Sequence, residues 1–357
     1  MPTYDFIGAI APGQLGVAQA TLPDPTGNQV LIQVQYSTLG PFDLYCLDRQ
    51  FYVHSYPHTF GVNAAGIIDK VGPGVTDLKV GDRVVALPLP PAPKGAQPYT
   101  LQDRSVVAKI PDSLPLEQAV TFPDNYVTAF YTLFNQLGLP LPTAWPAKDT
   151  INAGRPILIY GAGATSGQYA VQLLKLAGYT NVVAAASKHH HEYLKTLGAT
   201  SVVDYKSATF AKEVEEAAKG KVELVVDCIS ITHTFELITQ VIRPGGSIAW
   251  LAPFKAGSGS LAGSDGELLF EIPMETQAIF PQAVNFICVR TFHYQQDERL
   301  KDVAMPTILP KLIELGFQPN RILLLDHAEP LTRTRDAFEL LRQNKVSGEK
   351  IVIKIIA

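Results

Sequence analysis

The amino-acid sequence predicts an α/β protein in two parts: a strand-rich part folded as an antiparallel β-barrel, and a doubly wound parallel sheet. Two observations support this prediction. Short runs with strand patterns, separated by glycine and proline turns, occupy residues 1 to about 123. From residue 157 onward, apolar strands alternate with helical patterns, and such sequential units bury a parallel sheet between two layers of helices.

Strand patterns dominate the first part. Apolar and polar residues alternate in the first clear strand, and later strands are bounded by glycine and proline turns. The prolines between residues 88 and 93 mark a loop, and the spacing becomes helical around Ala119 and over residues 127–137. The strands predicted in this part cover residues 30–36, 64–72 and 105–111, and residues 77–86 are predicted to form a turn that leads into another strand.

Strands and helices alternate in the second part. Its predicted strands cover residues 157–160, 181–186, 201–205, 222–227, 246–251 and 285–292. Two further helices follow, and the alternating strand at 350–356 is expected to rejoin the first part. Residues 256–280 are expected to form an inserted flap, although a disordered loop explains their composition equally well.

Length, composition and charge narrow the class of protein. The chain has 357 residues, enough for two domains, and its 46% hydrophobic and 17% charged residues are typical of a compact soluble protein. A net charge of −4 provides no basic excess for nucleic acid. The N-terminus lacks a basic segment followed by an apolar one, and no apolar stretch approaches the ~20 residues that span a bilayer. We therefore expect a cytoplasmic protein with neither a nucleic-acid nor a membrane partner.

The cysteines give no sign of a disulfide framework or a four-cysteine zinc lobe. Cys46, Cys228 and Cys288 are odd in number and lie far apart in the sequence. We expect buried, unreactive thiols.

The junction between the first parallel strand and its helix is the candidate dinucleotide site. Small residues that include Gly161, Gly163 and Gly167 separate the apolar strand from the helical pattern. Such a turn lets the backbone approach a pyrophosphate, and it points the N–H groups and positive dipole end of the helix at that group. The spacing has one residue more than G-x-G-x-x-G before the last glycine, so an ordinary strand-to-helix turn stays open as an alternative.

The order of these parts resembles the medium-chain dehydrogenase/reductase superfamily over nearly the whole chain. The stretch 182–205 is similar to fungal GroES-like reductases, including the trans-acting enoyl reductases that serve polyketide synthases. The resemblance implies a GroES-like β-barrel catalytic domain over residues 1–123, a Rossmann NADPH-binding domain over 124–292, and a return to the catalytic domain over 293–357. The segments that carry it are Gly40-Pro41-Phe42-Asp43, residues 60–66, residues 80–84, Thr128-Ala129, the turn 161–167, and residues 197–199, 226–228 and 348–352.

Departures from the superfamily pattern bear on the chemistry. Zinc alcohol dehydrogenases carry a cysteine ligand where this sequence has Gly40, and a Gly-His-Glu stretch where it has Gly61-Val62-Asn63. Glycine and valine donate no lone pair, whereas a catalytic zinc needs three protein ligands. We therefore expect no metal and, without a Lewis acid, no reversible alcohol oxidation. Residues 40–43 instead resemble the Asn-Pro-x-Asp segment of zinc-free quinone and enoyl reductases, with glycine in place of asparagine.

The end of the second parallel strand indicates the type of nicotinamide cofactor. An NAD site places a carboxylate there for the ribose hydroxyls, whereas this strand leads into Ser187 and Lys188. A hydroxyl and an ammonium suit a 2′-phosphate. In zinc-free relatives a lysine at this place and a tyrosine after the third strand, here Tyr205, commonly hold that phosphate. NADPH is the expected cofactor, and a solvated Lys188 with a locally packed Tyr205 is the alternative.

Other residues are assigned to the cofactor by position or by resemblance. Cys228 follows an apolar strand, where its backbone would border the adenosine. Thr128 either reaches the nicotinamide or its phosphates, or packs locally. Histidines 189–191 are expected to be solvated or to flank the phosphate, because adjacent helical residues diverge and do not share one ion. The predicted cofactor-binding residues are Pro41, Thr128, Gly161, Gly163, Ala164, Thr165, Ser166, Gly167, Ser187, Lys188, Tyr205, Cys228 and Leu251.

The resemblance implies hydride transfer from NADPH to a C=C bond conjugated to a carbonyl, as in an enone, enal or enoyl thioester, followed by protonation. Some enoyl reductases use a tyrosine that falls on Phe51 here, so its neighbour Tyr52 is the candidate proton donor, with Tyr45 and Tyr56 as substitutes. Alternatively these aromatic residues only line the pocket, and protons come from water or the cofactor ribose.

Two polar residues near the lost zinc positions have structural alternatives. Asp43 is expected to cap a helix rather than to act as a base, because an aspartate after proline readily accepts backbone N–H bonds. Asn63 is expected to be either a pocket donor or a turn residue.

Two other functions remain open at this point. The first is an NADPH:quinone oxidoreductase. The second is a partner-dependent enoyl reductase that docks on a polyketide synthase and reduces only carrier-bound intermediates. A cofactor-binding protein without catalysis is disfavoured, and the sequence leaves open the substrate and the oligomeric state, monomer or homodimer.

Overall fold

A computed structural model describes residues 2–89, 94–258, 266–327 and 329–356. The chain divides into two compact units, Met1–Asp124 with Gln295–Ala357, and Asn125–Tyr294. Part of the predicted proline loop, residues 90–93, and residues 259–265 of the predicted flap lie outside the described residues.

The N-terminal part of the first unit is mainly antiparallel. Its central strand buries Val30, Ile32 and Val34, as the alternation predicts, and it buries Leu31 as well. That strand pairs with two later strands, and a separate hairpin at the N-terminus, which the sequence analysis did not predict, adds one short strand. The elements are β1 (Thr3–Ala11), β2 (Gln14–Thr21), β3 (Gln29–Leu39), α1 (Pro41–Arg49), β4 (His58–Thr59), β5 (Ala64–Val71), β6 (Arg83–Ala86), β7 (Tyr99–Asp103), β8 (Val107–Lys109) and α2 (Leu116–Ala119).

The second unit contains a six-stranded parallel sheet, which confirms the predicted doubly wound architecture. Its strands are β9 (Ile157–Tyr160), β10 (Val182–Ala185), β11 (Ser201–Val203), β12 (Val222–Asp227), β13 (Ile242–Leu251) and β16 (Asn285–Val289), and a small separate sheet holds β14 (Phe254–Ala256) and β15 (Glu267–Leu269). Its helices are α3 (Pro123–Tyr131), which starts in the first unit, α4 (Thr165–Leu176), α5 (His191–Leu197), α6 (Phe210–Ala218), α7 (Thr232–Ile238) and α8 (Met274–Ala278).

The strand order of this sheet is β11-β10-β9-β12-β13-β16, so the chain runs outward in opposite directions from β9. The register places Ala185, Tyr160, Asp227 and Trp250 side by side across four strands. The residues that follow these four therefore share one edge of the sheet, at the switch point where ligands of such sheets bind.

The described part of the predicted flap is packed. β15 pairs antiparallel with β14, which ends at the first residue of this segment, and Ile272 is buried in a cluster with Phe235, Trp250 and Phe254. The disordered-loop alternative is therefore wrong for the described residues of this segment.

The tail, Gln295–Ala357, belongs to the first unit. Its elements are α9 (Leu309–Glu314), β17 (Arg321–Leu325), α10 (Pro330–Arg342) and β18 (Glu349–Lys354). β18 pairs antiparallel with β3, and β17, which was not predicted, pairs parallel with β18. No helix among the described residues is both long enough and apolar enough to cross a bilayer.

Candidate functional site

The glycine-rich turn leads from the fully buried strand β9 into α4. Gly161 has a φ of +73°, a conformation that side chains other than glycine rarely adopt. A Cβ at this position would also lie 2.5 Å from the side chain of Ile229. Both the backbone conformation and the short distance to Ile229 therefore favour glycine at position 161.

The other two glycines allow close approach. A Cβ on Gly163 would lie 2.5 Å from the ring of His190, and a Cβ on Gly167 would lie 2.7 Å from the Cα of Ala162. Gly167 thus brings α4 close to the turn, which is the packing role of the last glycine in dinucleotide-binding turns. The extra residue in the motif does not remove this role.

The N-terminus of α4 is suited to binding an anion. Ala164 is the N-cap, and Thr165 and Ser166 open the helix. The first N–H groups of a helix have no partner within the helix, and together with the helix dipole they attract negative charge. The side-chain amide of Asn125 donates to Ser166 Oγ over 2.8 Å and holds this hydroxyl in place.

Ser187, Lys188, Tyr205 and Lys206 form what we call the Ser187 cluster, beyond the ends of β10 and β11. Ser187 Oγ donates to the Tyr205 hydroxyl over 2.9 Å, and Lys206 Nζ lies 5.8 Å from the Tyr205 ring centroid. Lys188 and Lys206 are exposed. The cluster combines two hydroxyls with two ammonium groups, a set of donors suited to a phosphate monoester.

Asp204 and Glu213 are acidic side chains near this cluster, and Asp204 Oδ1 accepts the backbone N–H of Lys206 over 3.0 Å. Hydroxyl donors on Ser207 and Thr209 lower the pKa of Glu213, and Lys188 acts in the same direction. Thr209 Oγ1 donates to Glu213 Oε1 over 2.6 Å, and Ser207 Oγ also donates to it. These donors satisfy the carboxylate of Glu213 locally.

The histidine segment differs in part from the prediction. His189 is exposed, as expected, but His190 is buried, with its ring against Gly163. His191 Nε2 lies 2.9 Å from the carbonyl oxygen of Ala186. The expectation of three solvated residues is therefore wrong for His190, because the glycine turn leaves room that its imidazole fills.

Of the remaining predicted cofactor-binding residues, two lie at the carboxyl edge of the parallel sheet and two lie on helices. Cys228 and Leu251 follow Asp227 and Trp250 at the same sheet edge as Gly161. Cys228 is buried, and burial raises the pKa of its thiol, in agreement with an unreactive role. Thr128 lies on α3, where its hydroxyl is 2.7 Å from that of Thr291. Pro41 opens α1 in the first unit.

Sequence reasoning missed a buried lysine in the second unit. Lys255 is 3% exposed, and Nζ donates to the carbonyl oxygen of Pro253 over 2.9 Å. Burial lowers its pKa to about 8, whereas the nearby Asp227 acts in the opposite direction. Asp227 itself accepts backbone N–H groups from Ile229 and Ser230 and a hydroxyl from Thr234. No sequence motif marked Lys255, which directly precedes the segment 256–280 that was predicted as a flap.

In the first unit, Asp43 joins two segments. It is fully buried, and its carboxylate accepts the backbone N–H of Gly40 over 3.0 Å and that of Gly61 over 2.9 Å. Burial raises the pKa of Asp43, whereas the charge of Lys94 and these two bonds act in the opposite direction. The predicted capping role at the start of α1 is confirmed by these bonds.

Asn63 has a role that neither alternative described. Its amide exchanges two hydrogen bonds with Asp124: Nδ2 donates to the carboxylate over 2.7 Å, and Oδ1 accepts the backbone N–H over 2.9 Å. The other carboxylate oxygen of Asp124 pairs with Lys350 over 2.7 Å. Asn63 therefore fixes the start of α3.

The residues at the former zinc positions do not fit a metal. Gly40 has no side chain, Val62 is apolar, and the donors of Asn63 are engaged with Asp124. Within the described ranges, no three His, Cys, Asp or Glu side chains are grouped so that they could hold a metal ion.

Aromatic rings gather beside the start of α1. Phe42 lies 6.1 Å from both Phe51 and Tyr52, centroid to centroid. Tyr52 is 47% exposed, whereas Tyr45 is buried and burial raises its pKa strongly. Of these two tyrosines, Tyr52 is the one whose ring reaches solvent.

Lys94 was also missed by sequence reasoning. Its ammonium lies 5.0 Å from the Phe42 ring centroid, 3.4 Å from His58 Nε2 and 4.0 Å from Cys46 Sγ. These contacts come from separate segments, so no local pattern could have indicated them.

Comparison with known proteins agrees with this architecture. Residues 26–112 match the alcohol dehydrogenase GroES-like domain, and residues 167–265 match the family described as zinc-binding dehydrogenase. Together with the relatives below, these matches show that the chain belongs to the medium-chain dehydrogenase/reductase superfamily and is an oxidoreductase.

The chain is 31% identical to trans-enoyl reductase eqxC of Fusarium heterosporum, over 94% of each protein. It is 32% identical to trans-enoyl reductase fsa3 of a Fusarium species over a segment that covers 66% of each protein. The crystal structure of Escherichia coli quinone oxidoreductase complexed with NADPH superposes with a TM-score of 0.74 at 18% identity, over 99% of this chain and 100% of that one.

Proposed function

We propose that this protein is an NADPH-dependent, zinc-independent reductase of a C=C bond conjugated to a carbonyl, in an enone, enal or enoyl thioester. The observation that carries the proposal is a pair of departures from the pattern of zinc- and NAD-dependent relatives, one in each unit. A cluster suited to a phosphate stands where an NAD site needs a carboxylate, and Gly40 and Val62, which donate no lone pair, stand at former ligand positions. The names of the enoyl reductase relatives support the same substrate class.

Different residues of the chain would hold different parts of the cofactor. The turn Gly161–Gly167 and the first N–H groups of α4 would hold the pyrophosphate, and Ser187, Lys188 and Tyr205 would hold the 2′-phosphate. Bound NADPH supplies a hydride at its nicotinamide ring. The aromatic residues around Phe42 offer an apolar surface that keeps water from a conjugated substrate, and Tyr52 is the proposed proton donor to the α-carbon.

We propose further that the reductase acts in trans with a polyketide synthase and takes carrier-bound thioesters. The relatives named trans-enoyl reductases support this partner. An NADPH:quinone oxidoreductase is the second candidate, and the fold likeness to a quinone oxidoreductase is compatible with it.

A substrate panel tests the proposal. NADPH oxidation is followed with an enone, an enal, an acyl thioester and a simple quinone. NADPH labelled with deuterium at C4 of the nicotinamide ring then shows which atom of the product receives the transferred hydrogen. We expect deuterium on the β-carbon of the enone or thioester product. Turnover of the quinone alone would favour the second candidate.

Metal analysis of the purified protein provides an independent test. We expect no stoichiometric zinc, and activity that survives a chelator. One zinc per chain that is required for activity would contradict the proposal. For the synthase partner, we expect turnover of the thioester to rise when the synthase is added, and equal rates with and without it would contradict action in trans.

A further inference from the structure

Among the residues that the structure describes, the Lys94 ammonium is in contact with neutral side chains and with no carboxylate. Its contacts are an imidazole, a thiol and an aromatic ring, and it forms no salt bridge with a residue that the structure describes. Burial and the charge of Lys94 lower the pKa of His58 to about 4, so the imidazole is neutral at pH 7. Burial raises the pKa of the Cys46 thiol to about 12, so the thiol is protonated.

The acidic group nearby, Asp43, does not compensate this charge directly. Its interaction with Lys94 is a charge effect without a hydrogen bond between the two side chains, and both of its oxygens accept backbone N–H groups from Gly40 and Gly61. A half-buried ammonium with only neutral contacts attracts an anion or a strongly polarised oxygen.

The backbone around Lys94 is fixed to the segment that contains Gly61. The N–H of Lys94 donates to Thr59 Oγ1 over 3.3 Å, and the N–H of Gly95 donates to the carbonyl oxygen of Gly61 over 2.8 Å. A Cβ on Gly95 would lie 2.1 Å from the carbonyl oxygen of Asn63, so only glycine permits this approach. These contacts hold Lys94 beside the former ligand positions, while its side chain reaches the ring of Phe42.

We propose that Lys94 binds the carbonyl oxygen of the substrate and stabilises the negative charge that develops on it during reduction. This inference rests on the proposed function. When a hydride forms the new C–H bond at the β-carbon, the π pair of the C=C bond shifts to join the α-carbon to the carbonyl carbon. The carbonyl π pair then moves to the oxygen, and a proton added at the α-carbon restores the carbonyl.

This assignment gives the aromatic residues and the lysine complementary roles. Phe42 and Tyr52 offer aromatic rings to a flat conjugated system, and the ammonium lies over the Phe42 ring, 5.0 Å from its centroid, where it would meet the polar end of that system. A fixed positive charge aimed at a developing oxyanion contributes to catalysis without reorganisation during the reaction.

The first experiment measures anion binding without turnover. 4-Nitrophenol, a flat probe that ionises to a phenolate, is titrated into full-length protein saturated with NADP⁺, and its absorbance reports its protonation state. We expect the wild-type protein to bind the phenolate at least tenfold more tightly than Lys94→Met does, with Lys94→Arg intermediate. Lys70→Met, which removes an exposed lysine of the same unit, is expected to match wild type.

The second experiment measures turnover of an enone. We expect Lys94→Met to lower kcat about 100-fold with little change in the Kd for NADPH, as for the loss of one oxyanion donor. Thermal unfolding of both Lys94 variants checks that they fold, and Lys94→Arg supplies a folded variant that keeps the charge. Wild-type phenolate affinity and wild-type kcat in Lys94→Met would overturn the assignment.

The outcomes separate this inference from the proposed function. If wild type reduces no conjugated carbonyl, the proposed function fails, yet phenolate binding that depends on Lys94 still supports an anion site. If wild type reduces enones and Lys94→Met does so equally well, only the inference about Lys94 fails.

Discussion

The hydroxyl of Ser187 donates a hydrogen bond to the phenol oxygen of Tyr205 over 2.9 Å, and so joins the loops that follow β10 and β11. Lys188, which follows Ser187, is exposed beside this pair. We predict that Lys188→Ala weakens the binding of NADPH by about 1–3 kcal/mol, because a charge-assisted contact to the 2′-phosphate is lost. The Kd for NADH, which lacks that phosphate, should change little in the same titration.

A lysine at the opposite edge of the same sheet provides the control. Lys221 precedes β12 and pairs with Glu215 over 2.5 Å, so Lys221→Ala removes a cation far from the carboxyl edge. The two cofactors should bind this variant as they bind wild type. An equal loss for NADPH and NADH in Lys188→Ala would remove the proposed role of Lys188.

Gly167 tests how tightly α4 must approach the turn. A Cβ there would lie 2.7 Å from backbone atoms of Ala162 and Gly161, which have little freedom to move. We predict that Gly167→Ala lowers the free energy of unfolding by about 1–3 kcal/mol, as overpacking does, and weakens both dinucleotides. Urea unfolding and cofactor titration measure these two effects.

Gly154 is the matched control for this substitution. A Cβ at Gly154 meets no atom within 4 Å, so Gly154→Ala should change stability by less than about 1 kcal/mol and leave cofactor binding intact. Equal behaviour of the two variants would show that the last glycine of the motif does not set the position of α4.

Much of the fold was predictable because local hydrophobic patterns determine it. The alternation in β3 and the fully buried strand β9 are signals of burial that need no knowledge of distant residues. The strand β17 was missed because it is a short apolar run, which periodicity alone does not separate from a helix. The hairpin β1–β2 was missed for a related reason, since glycine and alanine interrupt its apolar alternation.

The site was predictable only where a motif carries it. The glycine turn and Ser187, Lys188 and Tyr205 follow strand ends, and parallel sheets bring strand ends together. The burial of His190 depends on space left by Gly163, and the surroundings of Lys94 depend on residues from separate segments. Contacts of this kind depend on the tertiary structure, so the spacing of residues in the sequence does not predict them.

Lys350 tests the polar network at the start of α3. Its side chain is 8% exposed and pairs with Asp124, which also accepts a bond from Asn63. We predict that Lys350→Met lowers the free energy of unfolding by about 3–5 kcal/mol, because it leaves a largely buried carboxylate without its cation. Lys70→Met breaks an exposed pair with Asp24 and should change the free energy of unfolding far less, because solvent screens such pairs. Similar losses for the two variants, measured by urea unfolding, would contradict a structural role for this network.

Lys255 gives the stability of the protein a distinct dependence on pH. Burial lowers its pKa from 10.5 to about 8, so between these values the unfolded chain binds a proton that the folded chain has released. The free energy of unfolding should therefore rise as the pH increases from 8 to 10.5, by on the order of 3 kcal/mol from this group. Lys255→Met removes the group, so its stability should lack this part of the rise, whereas Lys221→Met, which removes an exposed lysine, should keep the wild-type slope. Urea unfolding at pH 8, 9 and 10 measures the three slopes, and parallel curves for wild type and Lys255→Met would mean that Lys255 does not titrate in this window.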